Sequence, residues 1–467
     1  MSGTVATLPR PAREEQALRE VGRTEVSRAV ALVLAALVPA TAFGVLAAEQ
    51  AGFARGGGAD LWTSPAELGA RVAAGFEEAD LIGVNRALRA EIAAFETRLE
   101  EGSLLVERVV PWAQWAETAL LGDGNRRVYV GRSPQEGGEG ERWLFFRPDV
   151  AYLTGEPFLD PRVLEARRAG ADSWEEPLRP DPRPAVAAFA RQLGERGIAL
   201  VVVPTPVKPM IHPERLAGPR AGGERPLQNP SFPRLVRDLE AAGVTVFDPA
   251  PLLGRAARET GEPQYLAHDT HWTPQAMDRV ARSLAEHLAG VLGSGPPAGP
   301  ATGTEDGPVA AVYSRQPVRV RGIGDLTRML QLEATAGVLP ELFPPQEVTV
   351  RQVLDPSGGF VRPDREAEVL LLGDSFTNVF SQAELGWGQG AGLAEQLAYH
   401  LGRPVDRIAV NAGGSHTTRE RLAQVLAGDP GRLDGKRVVV YQFAVRELSE
   451  GDWRLVELPA PPGGGDG

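Results

Sequence analysis

Five short runs of apolar residues, most of them unbroken by polar positions, limit this chain to one broad kind of fold. They are IALVVV (198–203), VTVFD (244–248), EVLLL (368–372), RIAVN (407–411) and KRVVVYQF (436–443). A strand with one wet face alternates apolar and polar residues, whereas a strand covered on both faces reads as a continuous apolar run. Stretches with helical spacing separate these runs, at 184–195, 233–242, 391–401 and 417–427, and Gly197 and Gly243 mark the ends of the first two. The pattern predicts an α/β fold in three layers, with a mostly parallel sheet between helices. The segment 293–308 (GSGPPAGPATGTEDGP) reads as a flexible insertion, and the tail 456–467 has too little apolar mass to fold.

Charge and composition remove several functions. With 61 acidic against 49 basic residues the net charge is −12, which argues against a dedicated nucleic-acid binder. The absence of cysteine excludes disulfides, thiolate metal sites and thiol nucleophiles. Residues 29–48 (AVALVLAALVPATAFGVLAA) carry no charge over about 20 residues, the length of a membrane-crossing helix. Arg10, Arg13, Arg19, Arg23 and Arg28 precede this run, and Arg55 is the only basic residue in the twenty or so that follow. The bias predicts a cytoplasmic arm (1–28), a single-pass signal anchor (29–48), and an extracytoplasmic or periplasmic remainder. A signal peptide cleaved after Ala40-Thr41-Ala42 and a buried core helix are the alternatives. Residues 49–140, with an amphipathic helix at 80–101, form a juxtamembrane helical region, and 141–455 form the main domain.

Two short elements carry chemistry. EVLLL runs directly into Gly373-Asp374-Ser375, which places a serine at the carboxyl end of a strand, where open parallel sheets bind ligands. Asp and Ser also make ordinary turns and helix caps, so the triplet alone does not decide between a nucleophile and a turn. Of the six histidines, His271 stands apart, in Asp269-Thr270-His271-Trp272. Thr273-Pro274 is a helix-start pair, so Asp269 and His271 fall in the loop before a helix, two residues apart and able to meet. Such a pair suits a base and its orienting carboxylate. A structural Asp–His cap and a metal site through His268, Asp269 and His271 are the competing readings; no second ligand cluster supports a metal, and no cofactor is indicated.

Asp269, His271 and Ser375 together make the chain similar to a known family. DTHW, followed about a hundred residues later by a strand and GDSF, resembles the AlgJ/AlgX-type polysaccharide (alginate) O-acetyltransferases. Their fold is SGNH-hydrolase-like, with the Asp-x-His element ahead of the nucleophile as though circularly permuted. Trp143-Leu144-Phe145-Phe146 with Tyr152-Leu153-Thr154-Gly155, Pro204-Thr205-Pro206-Val207-Lys208 with His212-Pro213-Glu214, Gly324-Asp325-Leu326, and VVVYQFAVREL extend the likeness over residues 80–455. The resemblance implies that Ser375 is the nucleophile, His271 the general base and Asp269 its partner. Oxyanion donors are expected from the Ser375 N–H and from Asn411 or the Gly413-Gly414 backbone, although Asn411-Ala412-Gly413-Gly414 also has the composition of a strand-ending turn. The short stretch after the last strand and the apparent anchor look more like AlgJ than AlgX.

The resemblance further implies a polysaccharide acceptor, an acetyl donor supplied through a membrane-bound O-acyltransferase, and residence at the inner membrane. An acidic chain is not an obvious partner for a polyanion such as alginate, which leaves a neutral glycan open. An acetylesterase using the same three residues, and a non-catalytic glycan-binding or assembly protein, are the alternative functions.

Overall fold

A computed structural model describes residues 104–122, 124–131, 142–170, 177–293, 313–332 and 342–460, with a few isolated positions before residue 104. The chain divides into two compact units, residues 1–110 and 111–467, and the second contains the α/β domain. The expected arm (1–28), anchor (29–48), amphipathic helix (80–101), insertion (293–308) and the end of the tail (461–467) lie outside, or almost wholly outside, the described residues. Among the described residues no helix is long and apolar enough to cross a membrane.

The five apolar runs become five strands of one sheet, numbered here with the four others in chain order: β1 Val128–Val130, β2 Leu144–Phe146, β3 Ala199–Thr205, β4 Thr245–Val246, β5 Ser314–Gly322, β6 Gln346–Leu354, β7 Val369–Gly373, β8 Asp406–Ala409 and β9 Val438–Ala444. The central sheet has the order β4-β3-β9-β7-β8, and every neighbouring pair is parallel. All residues of β7 and β9 are buried, which is why their sequences show no alternation. The chain builds outward from β3 to β4 on one side and from β7 to β8 on the other, and β9 returns to the middle. The carboxyl ends of β3, β9 and β7 therefore lie side by side, and the segments that leave them form the floor of the site.

Helices form where the periodicity predicts them. α1 (Pro182–Gly194) starts at Asp181, whose side chain accepts from the Arg183 N–H, and it buries Ala185, Val186, Phe189 and Leu193. α2 (Phe232–Ala241) and α3 (Pro274–Val291) follow, and Thr273 caps α3 by accepting from the Ala276 N–H. Past β7 come a single turn, α4 (Ser375–Asn378), then α5 (Leu393–Leu401) and α6 (Thr417–Gly428).

The folded region extends beyond the expected 141–455. Residues 128–130, inside the expected juxtamembrane helical region, pair antiparallel with 144–146, with Val128 and Leu144 both fully buried, so a strand of this domain lies before residue 141. At the other end, Val456 and Leu458 are buried, and the Gln192 side chain donates to the Val456 carbonyl and accepts from the Leu458 N–H. The expected tail therefore starts late, because α1 supplies an amide partner that the tail's composition does not reveal.

A further element has no counterpart in the apolar runs. β5 and β6 form a long antiparallel hairpin in which charged and apolar residues are mixed. Asp278 on α3 anchors it, accepting from Arg315 at 2.6 and 3.2 Å, from Arg351 at 2.9 Å and from His400 of α5 at 2.7 Å. This anchorage fixes where the loop leaving β5 meets the site.

Candidate active site

Ser375 opens α4 immediately after β7, and it is the only residue between 369 and 380 that is not buried. The turn is held from below. Asp374 accepts the Phe376 N–H at 2.9 Å, the Gln442 amide at 3.0 Å and the Ala444 N–H at 3.0 Å, tying the turn to β9. Thr377 Oγ1 donates to Gln442 Oε1 at 2.8 Å. Gly373 is required by space: a Cβ there would lie 2.1 Å from Thr377 Oγ1 and 3.0 Å from Gln442 Oε1. Gly373→Ala is expected to cost about 1–3 kcal/mol of stability, seen as a lower melting temperature, and to lower activity by displacing Ser375.

His271 is delivered by a loop closed on itself. Tyr265 and Trp272 form an antiparallel bridge, the Leu266 N–H donates to the His271 carbonyl at 3.1 Å, and the Thr273 N–H donates to the Gln264 carbonyl at 2.9 Å. Beneath the loop, buried Lys208 donates from Nζ to the carbonyls of Leu144 (2.7 Å) and Ala267 (3.0 Å). Phe376 packs edge-on against both the His271 ring (4.8 Å) and Trp272 (5.3 Å), so the residue after the serine also fixes the imidazole.

The structure brings the three sequence-predicted residues into one chain of contacts. His271 Nε2 lies 2.8 Å from Ser375 Oγ, and His271 Nδ1 lies 2.6 Å from Asp269 Oδ1. The other oxygen of Asp269 accepts from Trp387 Nε1 at 2.7 Å and from the Asp325 N–H at 2.9 Å. Burial alone would raise the Asp269 carboxyl, but the charge and hydrogen bonds of His271, together with Trp387, hold it well below the usual carboxylate range. Burial likewise opposes protonation of His271, yet the Asp269 carboxylate beside it wins and lifts the imidazole above its ordinary value.

The remaining expectations separate. His268 does not join Asp269 and His271: its Nε2 lies 2.9 Å from the Arg142 carbonyl, its ring packs edge-on against Phe343, and burial and the Lys208 charge push it down to about 4. Asp269, His271 and Asp325 converge closely enough to suggest ligands, but their carboxylate oxygens already face protein donors. The oxyanion expectation for Gly413 is corrected, because its N–H donates to the Val410 carbonyl at 2.9 Å. Asn411 accepts from Asn378 at 2.9 Å and donates to Gln382 at 3.2 Å, and the Gly414 carbonyl accepts from the Tyr441 hydroxyl. Ala412, between them, lies in the left-handed region at φ 59°, as suits a strand-ending turn.

Sequence reasoning gave no role to Asp325, Trp387 or Thr270. Asp325 was legible only within Gly324-Asp325-Leu326, and its signal is Gly324. That residue has φ +81°, and a Cβ there would fall 2.1 Å from the His268 carbonyl oxygen, so only glycine lets this loop touch the histidine loop.

The family profile described as an SGNH hydrolase-like domain of the acetyltransferase AlgX matches residues 165–445, more than half of the 467. The chain belongs to this family. A probable alginate O-acetylase AlgJ of Azotobacter vinelandii is 25% identical over 394 residues, 80% of this chain and 83% of that protein. A probable alginate O-acetylase AlgJ of Pseudomonas aeruginosa is 30% identical over 134 residues, 26% of this chain but only 32% of that protein. Among solved structures, the O-acetyltransferase domain of Pseudomonas putida AlgJ aligns with a TM-score of 0.47 at 20% identity, covering 69% of this chain and 92% of that one. Within the family the named likeness is thus to AlgJ, and both Asp269-Thr270-His271 and Ser375 fall inside the matched region.

Proposed function

We propose that this protein is an extracytoplasmic, membrane-anchored O-acetyltransferase that acetylates hydroxyls of a secreted or cell-surface polysaccharide through an acyl-Ser375 intermediate. The observation that carries the proposal is the continuous contact from Asp269 through His271 to Ser375, within a family of acetyltransferase domains. A serine hydroxyl is a weak nucleophile at neutral pH and needs an adjacent base. In the first half-reaction Ser375 Oγ bonds to the carbonyl carbon of an acetyl donor as its proton passes to His271 Nε2. The bond to the donor's leaving group then breaks, and His271 returns the proton to that group. In the second half-reaction a sugar hydroxyl gives its proton to Nε2 and attacks the acyl carbon, and Ser375 leaves, regaining a proton from His271.

Asp269 keeps the Nδ1 proton in place and stabilises the imidazolium formed in each half. Within α4, the Phe376 N–H is held by Asp374 Oδ1 and the Thr377 N–H by the Asp374 carbonyl, so the Ser375 N–H is the group assigned to the developing oxyanion. Donor delivery by a membrane-bound O-acyltransferase and retention at the inner membrane by residues 29–48 complete the proposal.

The test incubates the purified full chain with an activated acetyl ester, with and without oligosaccharides. Acetylated sugar is the expected product. Acetate released equally in both arms points to the esterase, and an inert chain points to a binding or assembly role.

A further inference from the structure

The proposed reaction leaves Asp325 unused, although three of its contacts converge on the histidine loop. Its carboxylate accepts the Thr270 N–H at 2.7 Å on Oδ1 and the Thr270 hydroxyl at 2.5 Å on Oδ2, and its own N–H donates to Asp269 Oδ2 at 2.9 Å. Asp325 Oδ2 lies 3.9 Å from His271 Nδ1, and Thr270 Oγ1 lies 3.2 Å from the same nitrogen.

A hydroxyl has one proton and two lone pairs. The Thr270 proton points to Asp325, so the oxygen can only accept from His271 Nδ1. Nδ1 then faces two acceptors, Asp269 Oδ1 and Thr270 Oγ1, and must carry the ring's proton. That leaves Nε2 bare toward Ser375, which is what a base requires.

We propose that Asp325 is a positioning residue for His271: through the Thr270 hydroxyl it reinforces, beside Asp269, the tautomer that leaves Nε2 unprotonated, and its charge strengthens the imidazole as a base. This role rests on His271 acting as base toward Ser375, and it goes beyond the Asp–His–Ser chain because it runs through a hydroxyl and a second carboxylate. Partial burial and the neighbouring Asp269 charge push the Asp325 carboxyl up to about 6, while His271 and Thr270 pull it the other way. Protonated Asp325 would have to donate to Thr270, turning that hydroxyl's proton toward Nδ1 and opposing the tautomer. The charged groups bearing on His271 are Asp269, Asp325 and Asp149 and, with opposite sign, Arg446 beyond β9.

The test uses the full chain carrying Ser375→Ala and nitrogen-labelled histidine, with ring resonances followed by NMR. Adding Asp325→Asn should lower the His271 titration midpoint by about one unit and shift population from the Nδ1–H to the Nε2–H tautomer. Thr270→Val keeps the carboxylate and removes the relay, so it should shift the tautomer with a smaller change in midpoint. With Ser375 restored, Asp325→Asn should lower kcat/KM about ten- to a hundredfold, mostly in kcat. Unchanged midpoint and tautomer in Asp325→Asn overturn the role. If that variant does not fold, an unchanged tautomer in Thr270→Val does so. These readings need no turnover, so they stand apart from the functional proposal, which fails separately if Ser375→Ala alone still transfers acetyl.

Discussion

Ser375→Ala is expected to lower acetyl transfer by about 10⁴-fold or more, leaving only what binding and oxyanion stabilisation supply. The loss should come without unfolding. The Ser375 hydroxyl meets His271, whereas the turn itself is held by Asp374, Thr377 and Gln442. The check is kcat/KM beside a melting curve: a melting temperature close to the parent's with activity gone locates the effect in the chemistry. Activity within about tenfold of the parent would remove Ser375 from the reaction, because loss of a nucleophile costs far more than that.

Asp269→Asn should come close in size, about 10³- to 10⁴-fold, for a reason the surrounding donors make specific. The amide has one oxygen and one NH₂ to place where two carboxylate oxygens were. At Oδ2 the Trp387 and Asp325 N–H groups both donate, and neither can change role. At Oδ1 the partners are the His271 N–H and His271 Nδ1, and only the ring nitrogen can switch from donor to acceptor. The NH₂ therefore turns toward the imidazole, and Nδ1 gives up its proton. The proton moves to Nε2, which then faces Ser375 as a donor and cannot act as a base. The His271 N–H loses its acceptor in the same change, so stability should fall by about 1–3 kcal/mol. Rate and melting temperature measured together check both parts. A variant with near-parental kcat/KM would show that the tautomer is set elsewhere.

The parts of this arrangement that could be read from the sequence are those encoded locally. Continuous apolar runs become the buried strands because burial on both faces removes alternation, and Thr273-Pro274 starts α3 as its residue types require. Asp269 and His271, two residues apart, meet for the same reason. What stayed hidden depends on distant partners. The hairpin β5–β6 has mixed polarity because many of its positions are exposed and Asp278 on another element holds Arg315 and Arg351, so it carries no apolar signature. Trp387 reaches Asp269 across 118 residues, and Asp325 reaches Thr270 across 55. Gly413 misled because a glycine that serves a turn and one that frees an N–H for a substrate look alike in sequence. The tail after residue 455 misled in the opposite direction, since Gln192 supplies hydrogen bonds that its own composition lacks.

The central claim is that the acetyl group resides on Ser375 before it reaches a sugar. Intact-mass measurement of the full chain, acid-quenched during turnover of an activated acetyl ester, tests it most directly. A species heavier by one acetyl group, located by peptide mapping at Ser375, is expected. It should discharge faster when oligosaccharide is added and be absent in Ser375→Ala. Acetylated sugar produced at full rate by a chain whose Ser375 never carries the acetyl group would contradict it.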